Sequence, residues 1–158
     1  RVGVAGGEFE CRLLSVPSRD GRDVRIPATM VYSKVSPPSA QSPLVMQVYG
    51  AYGLNLEPQF EISAFPLLRR GWCQVLVHAR GGGECGKSWH HQGKVAGKSR
   101  SMRDLQDVHA YLVAQGLCDP ALVAAKVHSA GGLVLGATMN DHPTMFKSVV
   151  ARAPFLDL

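Results

Sequence analysis

The sequence lacks any pair of cysteines at the spacing of a metal site or a redox motif. Its four cysteines, Cys11, Cys73, Cys85 and Cys118, lie far apart, and none belongs to a C-x-x-C pair. This spacing argues against a zinc site and against a redox dithiol, so we expect no metal and no other cofactor. Scattered, reduced thiols are typical of a cytoplasmic protein.

Long hydrophobic runs and a leader segment are also absent from the sequence. Arg, Lys, Gly or Pro interrupts every apolar stretch before it reaches the roughly 20 residues that a membrane-spanning helix needs. The chain starts with Arg1 and shows no basic, apolar and small-residue series typical of a signal peptide. We therefore expect neither a membrane span nor secretion, and we interpret the chain as part of a longer one.

A basic stripe interleaved with aromatic residues, which would suit nucleic acid, is missing despite a formal net charge of +5. The densest basic stretch, residues 94–103, contains Gly97 and is followed by Asp104 and Asp107. This pattern is typical of a solvated loop that enters a helix. We expect no nucleic-acid partner.

The chain instead alternates short apolar strands with amphipathic helices. Ser18 to Gly21 supplies turn chemistry for a hairpin, and Ser101 and Gly116 are suited to begin and end the longest helix. Strands are predicted over residues 11–16, 26–32, 44–49, 72–78, 122–127 and 148–153, and helices over 60–70, 101–115 and 133–139. This order predicts an α/β fold with a mainly parallel sheet and helices on both faces.

Ser129 stands between a predicted strand and a predicted helix without any linker. A nucleophile elbow places its serine at such a turn, where the hydroxyl is exposed and the first N–H groups of the helix point toward it. The strand and helix backbones nearly touch at such a turn, and Gly131 and Gly132 provide the space that this needs. Val127 occupies the first glycine position of G-x-S-x-G, and we expect its side chain to crowd the turn. The alternative is that Ser129 is only the N-cap of the helix.

Four motifs occur together in one order along the chain. They are Val48-Tyr49-Gly50-Ala51-Tyr52-Gly53, Arg80-Gly81-Gly82-Gly83-Glu84 with Trp89-His90, Ser129-Ala130-Gly131-Gly132, and Ala153-Pro154-Phe155-Leu156-Asp157. From about residue 9 to the end, the chain resembles the prolyl oligopeptidase family of serine peptidases, and most of all the oligopeptidase B and prolyl-endopeptidase-like branches. The resemblance implies that residues 9–158 are the N-terminal part of an α/β-hydrolase catalytic domain. It further implies that residues 1–8 are a linker from a β-propeller domain that the chain does not contain.

The resemblance also implies roles for four residues. Ser129 would attack the scissile bond of a short peptide and form an acyl-enzyme. The backbone N–H of Ala130 and the hydroxyl of Tyr49 would hold the oxyanion. Tyr52 would line the substrate pocket, although its ring could equally pack beneath the turn.

The acid and the histidine of a triad must follow the serine in this fold. Only Asp141, His142 and Asp157 are candidates. At a rise of 1.5 Å per residue, the helix after Ser129 would carry Asp141 and His142 roughly 18 Å away. We therefore expect both partners beyond residue 158 and an isolated chain that is inactive.

Other functions remain open at this stage. Residues 81–88 match the phosphate-loop pattern G-x-x-x-x-G-K-S, but residues 89–98 contain two glycines and show no helical apolar face, so we expect no nucleotide binding. An esterase or thioesterase would use the same serine and fold, and a non-catalytic interaction module is the alternative from another class.

Overall fold

The computed structural model describes residues 7–21, 23–59 and 61–156, and these build one mixed sheet. The spatial order of its six strands is β1-β2-β4-β3-β5-β6. The strands are β1 (Phe9–Pro17), β2 (Arg25–Ser33), β3 (Leu44–Val48), β4 (Cys73–Val77), β5 (Val123–His128) and β6 (Ser148–Arg152). Of the predicted linker, residues 1–6 lie outside the described residues, and Glu8 forms an ion pair with Arg69 at 3.0 Å.

Strand direction divides the sheet into two parts. β1 and β2 form the predicted antiparallel hairpin, and β2 is also antiparallel to β4. The strands β4, β3, β5 and β6 run parallel to one another. Because parallel neighbours end at the same edge, the residues after β3, β4, β5 and β6 gather at one edge of the sheet. The predicted α/β fold with a mainly parallel sheet is confirmed.

The helices lie on both faces of the sheet. They are α1 (Phe65–Leu68), α2 (Lys87–Gln92), α3 (Ser99–Ala114) and α4 (Gly131–Asp141). Alternate strand residues such as Met30, Met46 and Val75 are fully buried in one core with Leu105 and Val108 of α3. On the other face, α1 and residues 55–59 border a cavity of about 600 Å³.

Two predicted helices have different limits in the structure. The helix predicted over residues 60–70 is a 3-10 turn at Ile62–Ala64 followed by the four-residue α1, and Phe60 lies outside the described part of the chain. Pro66 stands in the first turn of α1, where its missing N–H costs no helical hydrogen bond. The prediction of Ser101 as a helix cap was wrong. α3 begins at Ser99, and the fully buried Ser101 hydroxyl donates to the Arg80 carbonyl.

No helix within residues 7–21, 23–59 and 61–156 has the length and apolar character required to cross a membrane.

Candidate active site

Ser129 lies at the turn between β5 and α4 in an unusual backbone conformation. Its φ is 49°, in the left-handed region that residues other than glycine rarely adopt. Its N–H donates to the Arg152 carbonyl at 3.0 Å, and its carbonyl accepts from the N–H groups of Gly132 and Phe155 at 2.9 Å. These bonds hold the strained turn, a type of strain that clusters at functional sites.

The Ser129 side chain is free to act on a ligand. It is partly exposed, and its hydroxyl has no hydrogen-bond partner among the described residues. The alternative of a helix N-cap is wrong, because Ala130 occupies the cap position of α4 and no side chain caps this helix. An exposed, unpartnered hydroxyl at a strand-to-helix turn is the arrangement of a nucleophile elbow.

The two glycines after the elbow permit contacts that the sequence did not specify. A Cβ on Gly131 would lie 2.6 Å from the Val48 carbonyl oxygen, and one on Gly132 would lie 2.6 Å from the Pro154 Cβ. Both glycines therefore let α4 approach the segments that follow β3 and β6. Val127 is buried in the core, and its Cβ would lie only 3.4 Å from a Cβ on Gly131, so the glycine at position 131 gives this valine room.

Tyr49 and Ala130 lie on neighbouring parallel strand ends. In the ladder between β3 and β5, Val48 pairs with Val127, so Tyr49 follows β3 at the edge where Ser129 follows β5. The Tyr49 Cα would lie 3.4 Å from a Cβ on Gly131, which places its backbone against the start of α4. Neither the Tyr49 hydroxyl nor the Ala130 N–H donates a hydrogen bond within the part of the chain that the structure describes. Both donors therefore remain available to a ligand.

Tyr52 borders a pocket of about 350 Å³ that also contains Ala130. Its side chain is 65% exposed, so the alternative of a ring packed beneath the turn is wrong. Leu133 and Phe155 form much of the apolar lining. A mainly apolar concavity next to a free backbone N–H is suited to bind a substrate side chain.

The loop after β4 holds the turn after β3. The Gly53 N–H donates to the Gly81 carbonyl at 2.9 Å, and His90 Nδ1 lies 2.9 Å from that same oxygen. Arg80 is 1% exposed and donates to the fully buried Asp104 at 2.6 Å, so the loop is also tied to α3. Sequence reasoning missed this buried ion pair, because the two residues are 24 positions apart and the motif that contains Arg80 does not indicate its partner.

Lys98 was also missed, as it lies in a basic stretch that was interpreted as solvated loop. Its ammonium group donates to the carbonyl of Gly50 and lines the pocket that contains Ala130. Burial lowers the pKa of Lys98 to about 8. A partly buried lysine that lines the pocket of Ala130 could not be distinguished from surface lysines by sequence alone.

Comparison with known proteins assigns the family. The sequence profile of the prolyl oligopeptidase family matches residues 58–158. The chain belongs to the prolyl oligopeptidase family. Its match to that profile includes the elbow and the loop after β4.

Two curated relatives and one solved structure illustrate the likeness. The chain is 39% identical to dipeptidyl aminopeptidase BI of Pseudoxanthomonas mexicana, over 90% of its own length and 20% of that protein. It is 37% identical to a prolyl endopeptidase-like protein of Xenopus laevis, over 96% of this chain and 21% of the relative. Oligopeptidase B from Trypanosoma brucei superposes with a TM-score of 0.89 at 32% identity, covering 98% of this chain and 22% of that one. The chain thus spans about one fifth of the length of its relatives.

The phosphate-loop match has a different structure from the one expected. A helix, α2, does start at Lys87, although residues 89–98 show no helical apolar face in the sequence. The helix is only six residues long and buries Trp89 alone, which left no apolar periodicity to detect. However, the N–H groups of the loop glycines already donate to protein carbonyls: Gly81 to Trp89, Gly82 to Ala79, Gly83 to Leu54 and Gly86 to Gly83. In this prolyl oligopeptidase family member, the four glycines of the loop therefore offer no free N–H group to a phosphate.

The described residues contain no completed triad around Ser129. Asp141 ends α4 and His142 follows it, so both lie at the far end of a helix about 16 Å long, given 1.5 Å per residue. Asp157 lies outside the described residues. Within the described ranges, no group of three or more His, Cys, Asp or Glu side chains is arranged to hold a metal ion.

Proposed function

We propose that Ser129 is the nucleophile of a serine peptidase that hydrolyses short peptides. The observation that carries this proposal is the left-handed φ of 49° at Ser129, combined with a hydroxyl that has no partner among the described residues. Membership of the prolyl oligopeptidase family supports it. So does the relative from Trypanosoma brucei, oligopeptidase B, which was solved with antipain covalently bound.

The proposed reaction proceeds through an acyl-enzyme. Ser129 Oγ forms a bond to the carbonyl carbon, the serine proton passes to a base, and the carbonyl oxygen becomes negatively charged. The Ala130 N–H and the Tyr49 hydroxyl donate hydrogen bonds to that oxygen. The C–N bond then breaks, the leaving amine takes the proton, and water hydrolyses the resulting ester.

The base and the acid that orients it come from sequence outside this chain. Support comes from the chain order of the fold, in which both follow the serine, and from the far position of Asp141 and His142 at the end of α4. We expect the isolated chain to be inactive. The longer protein would also contain a β-propeller domain that admits only short peptides, as the family resemblance implies.

The pocket bordered by Tyr52 receives a side chain of the substrate. Its contact with Ala130 supports this role, because a side chain next to the scissile carbonyl must lie close to the oxyanion donors. A cytoplasmic location is supported by the four cysteines, all of which are free thiols.

Peptide hydrolysis by a full-length polypeptide that contains this sequence tests the proposal. Ser129→Ala is expected to abolish turnover, and Tyr49→Phe to lower kcat about 100- to 1000-fold, the typical cost of removing one oxyanion donor. Tyr111→Phe on α3 is a matched control that removes a hydroxyl away from the elbow, and it is expected to retain activity. Turnover that survives Ser129→Ala would refute the proposal.

Esterase or thioesterase activity would use the same acyl-enzyme. Parallel assays with a peptide, an ester and a thioester of one acyl group distinguish these reactions, because all three require Ser129 but differ in the leaving group. A non-catalytic interaction module is disfavoured by the strained backbone of Ser129, since strain of this kind clusters at functional sites such as active sites.

A further inference from the structure

Lys98 is a partly buried cation without an acidic partner among the described residues. It connects a 3-10 turn at Val95–Gly97 to α3, and its amine forms no ion pair with a carboxylate among the described residues. Desolvation is the only cause of its lowered pKa. A charge that is partly removed from water without a counter-ion is unfavourable, and the hydrogen bond that the amine donates to a backbone carbonyl offsets part of that cost.

The acceptor of the Lys98 amine is the carbonyl of Gly50, in the turn that carries the candidate oxyanion tyrosine. Gly50 is buried and has a φ of 59°, a conformation that suits glycine. A Cβ at Gly50 would lie 3.3 Å from the Arg80 carbonyl oxygen, so the loop after β4 limits the turn on that side. Lys98 therefore holds the peptide between Gly50 and Ala51, one residue after Tyr49.

Lys98 also lines the pocket that contains Ala130 and Tyr52. Lys98 thus contacts the turn that carries one proposed oxyanion donor and borders the space next to the other donor. Its position differs from that of Lys87, which is exposed at the start of α2 and makes no hydrogen bond through its side chain within the described residues.

We infer that Lys98 is a positioning residue of the oxyanion hole: its hydrogen bond to the Gly50 carbonyl holds the turn so that the Tyr49 hydroxyl faces the reacting carbonyl. This inference rests on the proposed function of Ser129. The residue acts through Tyr49 and does not itself touch the substrate. Misplacement of a donor by a fraction of its bond length weakens transition-state stabilisation more than substrate binding, so kcat should fall and KM should stay nearly constant.

Steady-state kinetics of the full-length polypeptide with a peptide substrate test the inference. Lys98→Met keeps the length of the side chain and removes the donor, and it is expected to lower kcat at least about 10-fold with KM changed by less than about 2-fold. Lys98→Gln retains a donor without the charge and should recover part of that loss. Lys87→Met is the matched control and should match the wild type.

A double-mutant cycle separates positioning from a general structural effect. If Lys98 acts through Tyr49, Lys98→Met should cost much less in the Tyr49→Phe background than in the wild type. Equal costs in both backgrounds, or a Lys98→Met enzyme with wild-type kcat, would overturn the inference. Failure of the proposed function has a different signature, namely activity that does not depend on Ser129 in any background.

Discussion

Two glycines of α4 should respond oppositely to the same substitution. Gly131→Ala would place a Cβ 2.6 Å from the Val48 carbonyl oxygen, whereas in Gly136→Ala the nearest atom would be the Leu156 Cδ2 at 3.6 Å. The first distance is well below van der Waals contact, and the obstacle is backbone that cannot rotate away. The second distance is an ordinary contact.

The magnitudes follow from packing and helix propensity. Overpacking costs about 1–3 kcal/mol, and it exceeds the small propensity gain expected in the first turn, so Gly131→Ala should lower the free energy of unfolding by at least about 1 kcal/mol. Gly136→Ala lies in the helix interior and should raise it by about 0.5–1 kcal/mol.

Urea unfolding of the three proteins, followed by far-ultraviolet circular dichroism, measures both differences. In a thermal scan, a change of 1 kcal/mol corresponds to a Tm shift of about 2–4 °C for a chain of this size. A Gly131→Ala protein as stable as Gly136→Ala would show that α4 does not pack against the end of β3, and the geometry of the elbow would then be wrong.

Three further predictions concern thiols, protonation and ligand binding. Cys11 and Cys85 are exposed, whereas burial raises the pKa of Cys73 and of Cys118 to about 11, so a thiol reagent at pH 8 should modify two cysteines quickly and all four only after unfolding. Because burial lowers the pKa of Lys98 to about 8 from 10.5, the unfolded chain binds more protons between these values. The stability of the wild type relative to Lys98→Met should therefore rise from pH 8 to pH 10.5, by at most about 1.4 kcal/mol per pH unit, and a flat difference would contradict the burial of this amine. Magnesium ATP should leave Tm unchanged, and a concentration-dependent increase would show that the glycine-rich loop binds nucleotide after all.

The helices and strands of this chain were largely predictable from sequence. Along most of the chain, the spacing of apolar residues and the positions of turn residues indicate the same elements. The hairpin, the buried strands β4 and β5 and the helix α3 were located to within a few residues. The strand-to-helix junction at Ser129 was also evident, since the apolar run of a buried strand and the pattern of a helix meet there without a linker. These features depend on neighbours in sequence.

Features that depend on distant residues were not predictable. The helix α2 is anchored by Trp89, whose indole N–H donates to the His78 carbonyl at 3.0 Å, and its six residues are too few to show an apolar period. The hydroxyl of Ser101 bonds to the loop after β4 and the amine of Lys98 bonds to the turn after β3, and neither distant partner is visible in the sequence around these two polar residues. The candidate site was therefore found through its nucleophile, while the groups that hold its turns required coordinates.

The most direct test of the central claim is to identify the residue that a fluorophosphonate modifies in a full-length polypeptide containing this sequence. Trypsin releases Ser129 in the peptide of residues 127–147, so mass spectrometry can locate the adduct. An adduct on Ser129, lost in Ser129→Ala and not formed in the isolated chain, is the result that we predict. An adduct on another residue, or labelling that persists in Ser129→Ala, would contradict the account.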